Sequence, residues 1–178
     1  MSGWHGEILD FWFALTREQW WTRDDAIDAR IRARFLALWK DQRHHPAGDF
    51  LNSADEALAA VILFDQFPRN MFRDDPRAFA TDPLALAIAN GALAKGYFEA
   101  LPPEHAAFLL MPFQHSENLE DQERSVELFR LLGDEFSLGF ALKHRDVIAR
   151  FGRFPHRNTV LGRESTAEEV SFGLNPPW

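Results

Sequence analysis

Two ionisable residues stand where the helical pattern of this 178-residue chain requires apolar side chains. Asp65 lies three positions after Ile62 on the apolar stripe of one helix, and His144 lies four positions after Phe140 on another. Because an inward carboxylate is costly unless it is paired, Asp65 is predicted either to meet Arg69 or to serve a ligand. An imidazole near a carboxylate suits acid–base catalysis, although a lone inward histidine is also typical of a hydrogen-bonded core residue.

A second group of polar residues follows Pro112, which is predicted to kink or end a very apolar helix. His115 and Glu117 come directly after it, and broken helices leave backbone groups that often line pockets. A metal site could assemble His115, Glu117 and His144, with Asp65 as a further ligand. No local spacing supports that assembly, so we predict no metal and no cofactor.

Two related loop motifs carry the remaining candidate residues. FPRN occupies 67–70 and FPHRN occupies 154–158, so that each phenylalanine–proline pair is followed by arginine and asparagine. The phenylalanine would anchor a turn and the proline would fix it, which leaves the guanidinium and amide for carboxylate or phosphate. The alternative is that these arginines hold loops to carbonyls and acidic helices. The predicted ligand-binding positions are Arg69, Asn70, Arg145, Arg153, His156, Arg157 and Asn158.

Charge and composition exclude several classes of protein. The formal charge is −8, which argues against nucleic-acid binding. Within this acidic chain, residues 143–164 hold six basic and two acidic residues, a pattern that favours anions. The absence of cysteine excludes disulfides, thiolate zinc sites and a cysteine nucleophile. Glycine-rich phosphate loops, nucleophile elbows and dinucleotide fingerprints are also missing.

The sequence predicts a cytoplasmic protein without a membrane contact. Its longest apolar run, Ala106 to Phe113, is far shorter than the roughly 20 residues that span a bilayer. No basic region precedes the apolar part of the N-terminus, so that a signal peptide is not expected.

The elements that must position these residues are all predicted to be helices, because apolar spacing is helical throughout and no hairpin signal occurs. Start and stop signals are a capping box at Ser53, Asp82 as an N-cap, Gly133 as a stop and a second box at Ser165. We therefore predict one all-α domain over 1–178, with seven or eight antiparallel helices in a bundle or a right-handed superhelix. Their approximate bounds are 8–15, 24–40, from 53, 82–96, from 102, 119–132, 136–151, and a short last helix after 165.

Four ordered blocks carry a family resemblance. LFDQFPRNMFR with AFATDPLAL, then MPFQHSE, then HRDVIARFGRFPHRN, and finally LGRES closely resemble the bacterial domain-of-unknown-function family 924. The resemblance extends roughly from Ile8 to Leu174. It implies a tetratricopeptide-like helical fold and transfers no catalytic assignment.

The favoured hypothesis is a pocket that binds a small anionic ligand, with acid–base chemistry as an open option. Arg153 and Arg157 would hold the carboxylate or phosphate. The predicted catalytic positions are Asp65, His115, Glu117 and His144, with the two carboxylates orienting the two imidazoles. One alternative is an interaction module whose groove clamps an acidic peptide or chain terminus. Another is that all these groups are buried and only hold the loops and helices of the protein together through polar contacts. The sequence leaves enzymatic activity and oligomeric state open.

Overall fold

All regular secondary structure in residues 3–173, which the computed structural model describes, is helical, so the all-α prediction is confirmed. More α-helical segments occur than the predicted seven or eight, because short helices form at 17–21 and 97–100 in predicted loops and at 67–71, where a turn was predicted. The α-helices are α1 (Trp4–Trp12), α2 (Arg17–Trp21), α3 (Asp25–Gln42), α4 (Ala54–Val61), α5 (Phe67–Met71), α6 (Asp82–Ala94), α7 (Tyr97–Ala100), α8 (Pro103–His115), α9 (Leu119–Leu132), α10 (Glu135–Phe151) and α11 (Ala167–Phe172). Short 3-10 turns cover Ala47–Phe50, Pro76–Phe79 and Pro155–Arg157.

A π-helical turn, Ile62–Gln66, joins α4 to α5 without a break. Pro68 follows this turn and has no amide hydrogen, which would leave the backbone oxygen of Phe64 four residues earlier without its helical donor. The Thr81 hydroxyl donates to that oxygen at 2.6 Å, and Trp39 Nε1 donates to the same hydroxyl at 3.1 Å. A tertiary contact thus replaces the missing helical bond, and the helix continues through the proline.

The apolar helix α8 does not end at Pro112, contrary to one of the two predicted outcomes. It continues for three residues, and Ser116 is its C-cap. The side chain of Gln122 on α9 donates to the backbone oxygens of Gln114 and Ser116, each at 2.7 Å. These bonds satisfy carbonyls that a helix end leaves unpaired, and they fix α9 against the end of α8.

The helix ends agree with local capping chemistry, with two corrections. Ser53 accepts from the amide of Glu56 at 3.1 Å, and α9 has the predicted bounds, with Gly133 at φ 75° after it. Thr81, rather than Asp82, is the N-cap residue of α6. The last capping box begins at Thr166, one residue later than predicted.

An aromatic core lies between α1, α3, α5 and α8. Phe67 packs its ring against Phe11, Trp12 and Phe35, with ring centroids 6.2, 5.8 and 4.7 Å away. Phe108 brings α8 into the same cluster through an edge contact with Trp12. The burial of these rings helps to hold the four helices together. Among residues 3–173, no helix combines the length and apolar character needed to cross a bilayer.

Candidate functional site

A cleft of about 600 Å³ lies between α2, α5, the end of α8, α10 and the 3-10 turn at 155–157. Polar side chains form its deep side, and aromatic rings form its mouth, where Trp21 and Phe136 are half exposed. Hereafter "the cleft" means the space lined by Trp20, Trp21, Thr22, Arg23, Gln66, Arg69, Asn70, Arg73, Phe79, Met111, Gln114, His115, Phe136, Ser137, Phe140, His144, His156 and Arg157.

The buried carboxylate of Asp65 lies behind His115. Its two oxygens are 2.8 and 2.9 Å from His115 Nδ1, and it also accepts from Gln66 Nε2 at 2.6 Å. Burial alone would raise the pKa of Asp65, but the charge of Arg69 and the contact with His115 outweigh burial and hold this pKa well below its usual range. Asp65 is therefore an anion, and His115 Nδ1 is the donor in this hydrogen bond. This hydrogen bond joins two of the four predicted catalytic positions.

Burial and the nearby Arg69 lower the pKa of His115, and together they exceed the opposing effect of Asp65. The imidazole is consequently neutral at pH 7. With the proton on Nδ1, the lone pair lies on Nε2. A neutral imidazole whose orientation is fixed by a buried carboxylate is the arrangement used for general-base catalysis.

Arg69 and Arg157 share the carboxylate of Asp82. Arg69 makes two hydrogen bonds to it, at 2.8 and 2.9 Å, and its Nη1 lies 3.4 Å from Asp65. The nearest contact of Arg157 with Asp82 is 3.6 Å, outside hydrogen-bonding distance. Asp82 was not among the predicted site residues, because its position before a proline at a helix start indicates an N-cap.

Arg157 is the buried guanidinium with the weakest compensation in the cleft. Its Nη2 donates to the backbone oxygen of His115 at 3.0 Å, and its plane lies over the rings of Phe79 and Phe154. Its Nε is buried with no hydrogen-bond partner. Burial, followed by the charge of Arg69, lowers the pKa of Arg157 to about 10.

Two further histidines line the cleft near Arg157. His144 Nδ1 donates to the backbone oxygen of Phe140 at 2.8 Å, and its ring centroid is 6.3 Å from that of His115. Burial, followed by the proximity of His115, lowers the pKa of His144 to about 3. Burial, followed by the charge of Arg157, lowers that of His156 to about 4. Both imidazoles are therefore neutral at pH 7.

Asn70 borders the cleft at the start of a second polar network. Its side-chain amide donates to Asp28 on α3 at 2.7 Å, and Arg73 also binds that carboxylate through two nitrogens. The side-chain amide of Asn70 thus already binds a carboxylate, and its role at the wall of the cleft is structural.

Glu117, a predicted catalytic residue, points away from both imidazoles. It accepts from Arg163 at 2.7 and 3.0 Å and from the backbone amide of Phe154 at 2.7 Å. Glu117 does not line the cleft. The Glu117 carboxylate therefore binds two residues of the loop after α10 and holds that loop in place. The expectation that Glu117 orients a histidine is wrong.

Three predicted ligand-binding residues also lie outside the cleft. Arg153 binds both oxygens of Glu169, at 2.6 and 2.8 Å, and Arg145 pairs with Asp146 on the surface. Asn158 is fully buried, where its oxygen accepts from Arg163 at 3.0 Å. Each of these polar groups therefore meets a partner within the protein.

The alternative metal assembly does not form among the described residues. Across 3–173 no group of three or more histidine, aspartate or glutamate side chains is arranged to hold an ion. Of the four residues considered, Glu117 is bound to Arg163 instead.

Sequence reasoning missed the apolar wall of the cleft. Trp20 and Trp21 lie in the short helix α2, which falls in a region predicted to be a loop. Trp21 is 51% exposed and Phe136 is 55% exposed, so neither ring is buried in the core. Gln114 was also missed, although its side-chain oxygen is buried in the cleft wall with no hydrogen-bond partner. The signal available was the adjacency of Gln114 to His115 in one motif.

Comparison with known proteins supports the family resemblance. A family model described as a bacterial protein of unknown function, DUF924, matches residues 8–176. A solved structure of a protein of unknown function from Agrobacterium tumefaciens is similar, with a TM-score of 0.90 and 37% sequence identity over 94% of this chain and 95% of that one. No curated protein sequence matches. The fold and the family match together establish that this chain belongs to the DUF924 family.

Proposed function

We propose that the cleft binds a small organic anion, whose carboxylate or phosphate meets Arg157, and that His115 acts as a base toward it. The observation that carries this proposal is the buried guanidinium of Arg157, which has an unpartnered Nε and no carboxylate within hydrogen-bonding distance. A buried charge without a hydrogen-bonded counter-charge is costly. A bound anion would supply that counter-charge.

The surrounding charges favour Arg157 over its neighbours as the anion-binding group. In the basic segment 143–164, four other arginines already contact carboxylates. They are Arg145 with Asp146, Arg150 with Glu168, Arg153 with Glu169, and Arg163 with Glu117. Arg157 competes with Arg69 for Asp82, and Arg69 holds both oxygens. Guanidinium groups match carboxylate and phosphate geometry, so an external anion is the natural partner for Arg157.

The size of the cleft favours a metabolite. Sites for small molecules usually enclose about 300–1,000 Å³, and the cleft encloses about 600 Å³. A groove for an acidic peptide is the alternative, and its charged end would meet the same arginine.

The position of His115 supports a chemical role. Asp65 holds the proton on Nδ1, so that Nε2 can accept a proton from a bound acid or from a water molecule beside it. His144, a second neutral imidazole, also lines the cleft, and its ring centroid is 6.3 Å from that of His115. The chemistry that fits is proton transfer on a small acid, as in hydrolysis or isomerisation.

Thermal unfolding with phosphate and a panel of small carboxylates tests anion binding. Sodium chloride at equal ionic strength is the salt control, and each sample is run with and without divalent metals. A specific ligand at 100 times its Kd stabilises the folded state by about 2.7 kcal/mol, which raises the melting temperature by several degrees.

Variants assign the response to the cleft. We expect Arg157→Gln to lose the stabilisation by the anion, while Arg145→Gln, which removes a surface charge from α10, keeps it. Arg157→Lys retains the charge without the Nε donor, and it serves if the glutamine variant is unstable. Equal stabilisation of Arg157→Gln and the wild type would contradict the proposal. Stabilisation by acidic peptides alone would favour the interaction module.

A further inference from the structure

The mouth of the cleft opens into a second depression with a different character. This aromatic groove encloses about 240 Å³, and its floor is formed by Phe108, Ala107 and Met111 of α8. Charged side chains stand in its lining as well. They are Arg17, Glu104 and Asp134.

The cleft and the aromatic groove are adjacent. Five residues line both spaces: Trp20, Trp21, Met111, Phe136 and Ser137. A ligand with its anionic end at Arg157 therefore has an apolar path along these rings toward the groove.

The rings of the groove are arranged as a surface for an apolar body. Trp21 stacks on Phe108 at 5.9 Å with an interplanar angle of 12°, and Trp20 meets the same ring edge-on at 5.0 Å. Trp21 and Phe136 are about half exposed, although both are large and apolar. Exposed aromatic side chains that surround a concave site are typical of ligand recognition.

We infer that the ligand of the cleft is amphipathic, with a carboxylate or phosphate joined to an apolar chain or ring that lies in the aromatic groove. This inference rests on the proposed function and names its substrate class. A groove of about 240 Å³ has the volume of eight water molecules at roughly 30 Å³ each, which is enough for a benzene ring or a short alkyl chain.

Straight-chain carboxylates from acetate to octanoate test the inference by calorimetric titration of the full chain. Each methylene that enters the groove is expected to strengthen binding about fourfold, until the groove is full. Trp21→Ala and Phe136→Ala should flatten this dependence on chain length. Leu131→Ala is the matched control, because Leu131 is 76% exposed and lies on α9 away from both spaces.

The possible outcomes separate the two proposals. Equal affinity for every chain length would overturn the amphipathic ligand and leave anion binding standing. A dependence on chain length that survives in both aromatic variants would also overturn it, because the chains would then bind elsewhere. If neither the carboxylates nor phosphate binds the wild type, the proposed function itself fails.

Discussion

Asp65 and His115 are fifty positions apart in the sequence, and both carboxylate oxygens of Asp65 lie within 2.9 Å of His115 Nδ1. The π turn brings the carboxylate to this point, and the end of α8 brings the imidazole. Arg69 and Gln66 hold the carboxylate from the other side. The pair therefore depends on the π turn, on the end of α8 and on the contacts from Arg69 and Gln66. Its disruption should change both the stability of the protein and the tautomer of the His115 imidazole.

Asp65→Asn is expected to destabilise the protein by about 2–4 kcal/mol, because it removes a buried charge from Arg69 and weakens the bond to His115. Urea denaturation measures this loss. Nitrogen-15 spectra of the histidine rings should show His115 protonated on Nδ1 in the wild type, and a mixture of tautomers in the variant. An unchanged tautomer would contradict the role assigned to Asp65.

Stability should fall as the pH decreases from about 6.5 toward 4. The folded chain keeps His144 and His156 neutral, with pKa values of about 3 and 4, whereas the unfolded chain protonates them near 6.5. The unfolded state therefore binds more protons in this window, and each histidine contributes up to about 1.4 kcal/mol per pH unit. Burial also lowers the pKa of His115, which adds to the effect.

Urea midpoints measured between pH 7 and 4.5 check this dependence. His144→Gln should reduce the slope, while the exposed His44→Gln should not. Carboxylates with lowered pKa values, among them Asp65 and Glu117, lose stability in the same direction as the pH falls, but at pH values below about 4. A flat profile between pH 7 and 5 would rule out buried neutral histidines.

Glu117→Gln is expected to cost about 1.5–3 kcal/mol of folding free energy, since it breaks the two-pronged pair with Arg163 and weakens the acceptor for the Phe154 amide. Binding of anions in the cleft should remain at wild-type strength. Glu127→Gln, an exposed change on α9, provides the control for charge. Loss of ligand binding without loss of stability would return Glu117 to the site.

Thr81→Val should destabilise the chain by about 2–3 kcal/mol, because the backbone oxygen of Phe64 and the indole Nε1 of Trp39 both lose their partner. Thr81→Ser retains the hydroxyl and should retain most of the stability. Thermal unfolding of the two variants makes the comparison. Equal destabilisation by serine and valine would mean that the methyl group matters more than the hydrogen bonds.

Local chemistry predicted much of the helical frame. Asn118 and Gly133 bound α9, because a side-chain cap and a left-handed glycine act within a few residues of the helix. The errors arise where a distant partner intervenes. Asp82 is not the N-cap of α6, since Arg69 holds its carboxylate. The turn predicted at Phe67 and Pro68 is part of a continuous helix instead, since Thr81 supplies the missing bond.

Two residues of the site were predictable because each conflicts with the apolar pattern of its own helix. Asp65 and His144 were found because they interrupt apolar stripes, and the structure places both beside His115. Glu117 and Arg153 carry equally suggestive side chains, but partners from other segments, Arg163 and Glu169, neutralise them. The aromatic mouth gave no signal, because a tryptophan in sequence does not reveal whether its ring is covered.

The number of residues in the π turn at 62–66 determines which side chains form the polar wall of the cleft. Such turns correspond to one residue more than an α-helix needs, and each residue rotates an α-helix by about 100°. Deletion of Leu63 alone would remove no side chain of the site, yet it would rotate Arg69 and Asn70 away from α6 and α3. The site thus depends on the number of residues in this turn as well as on the identity of its side chains.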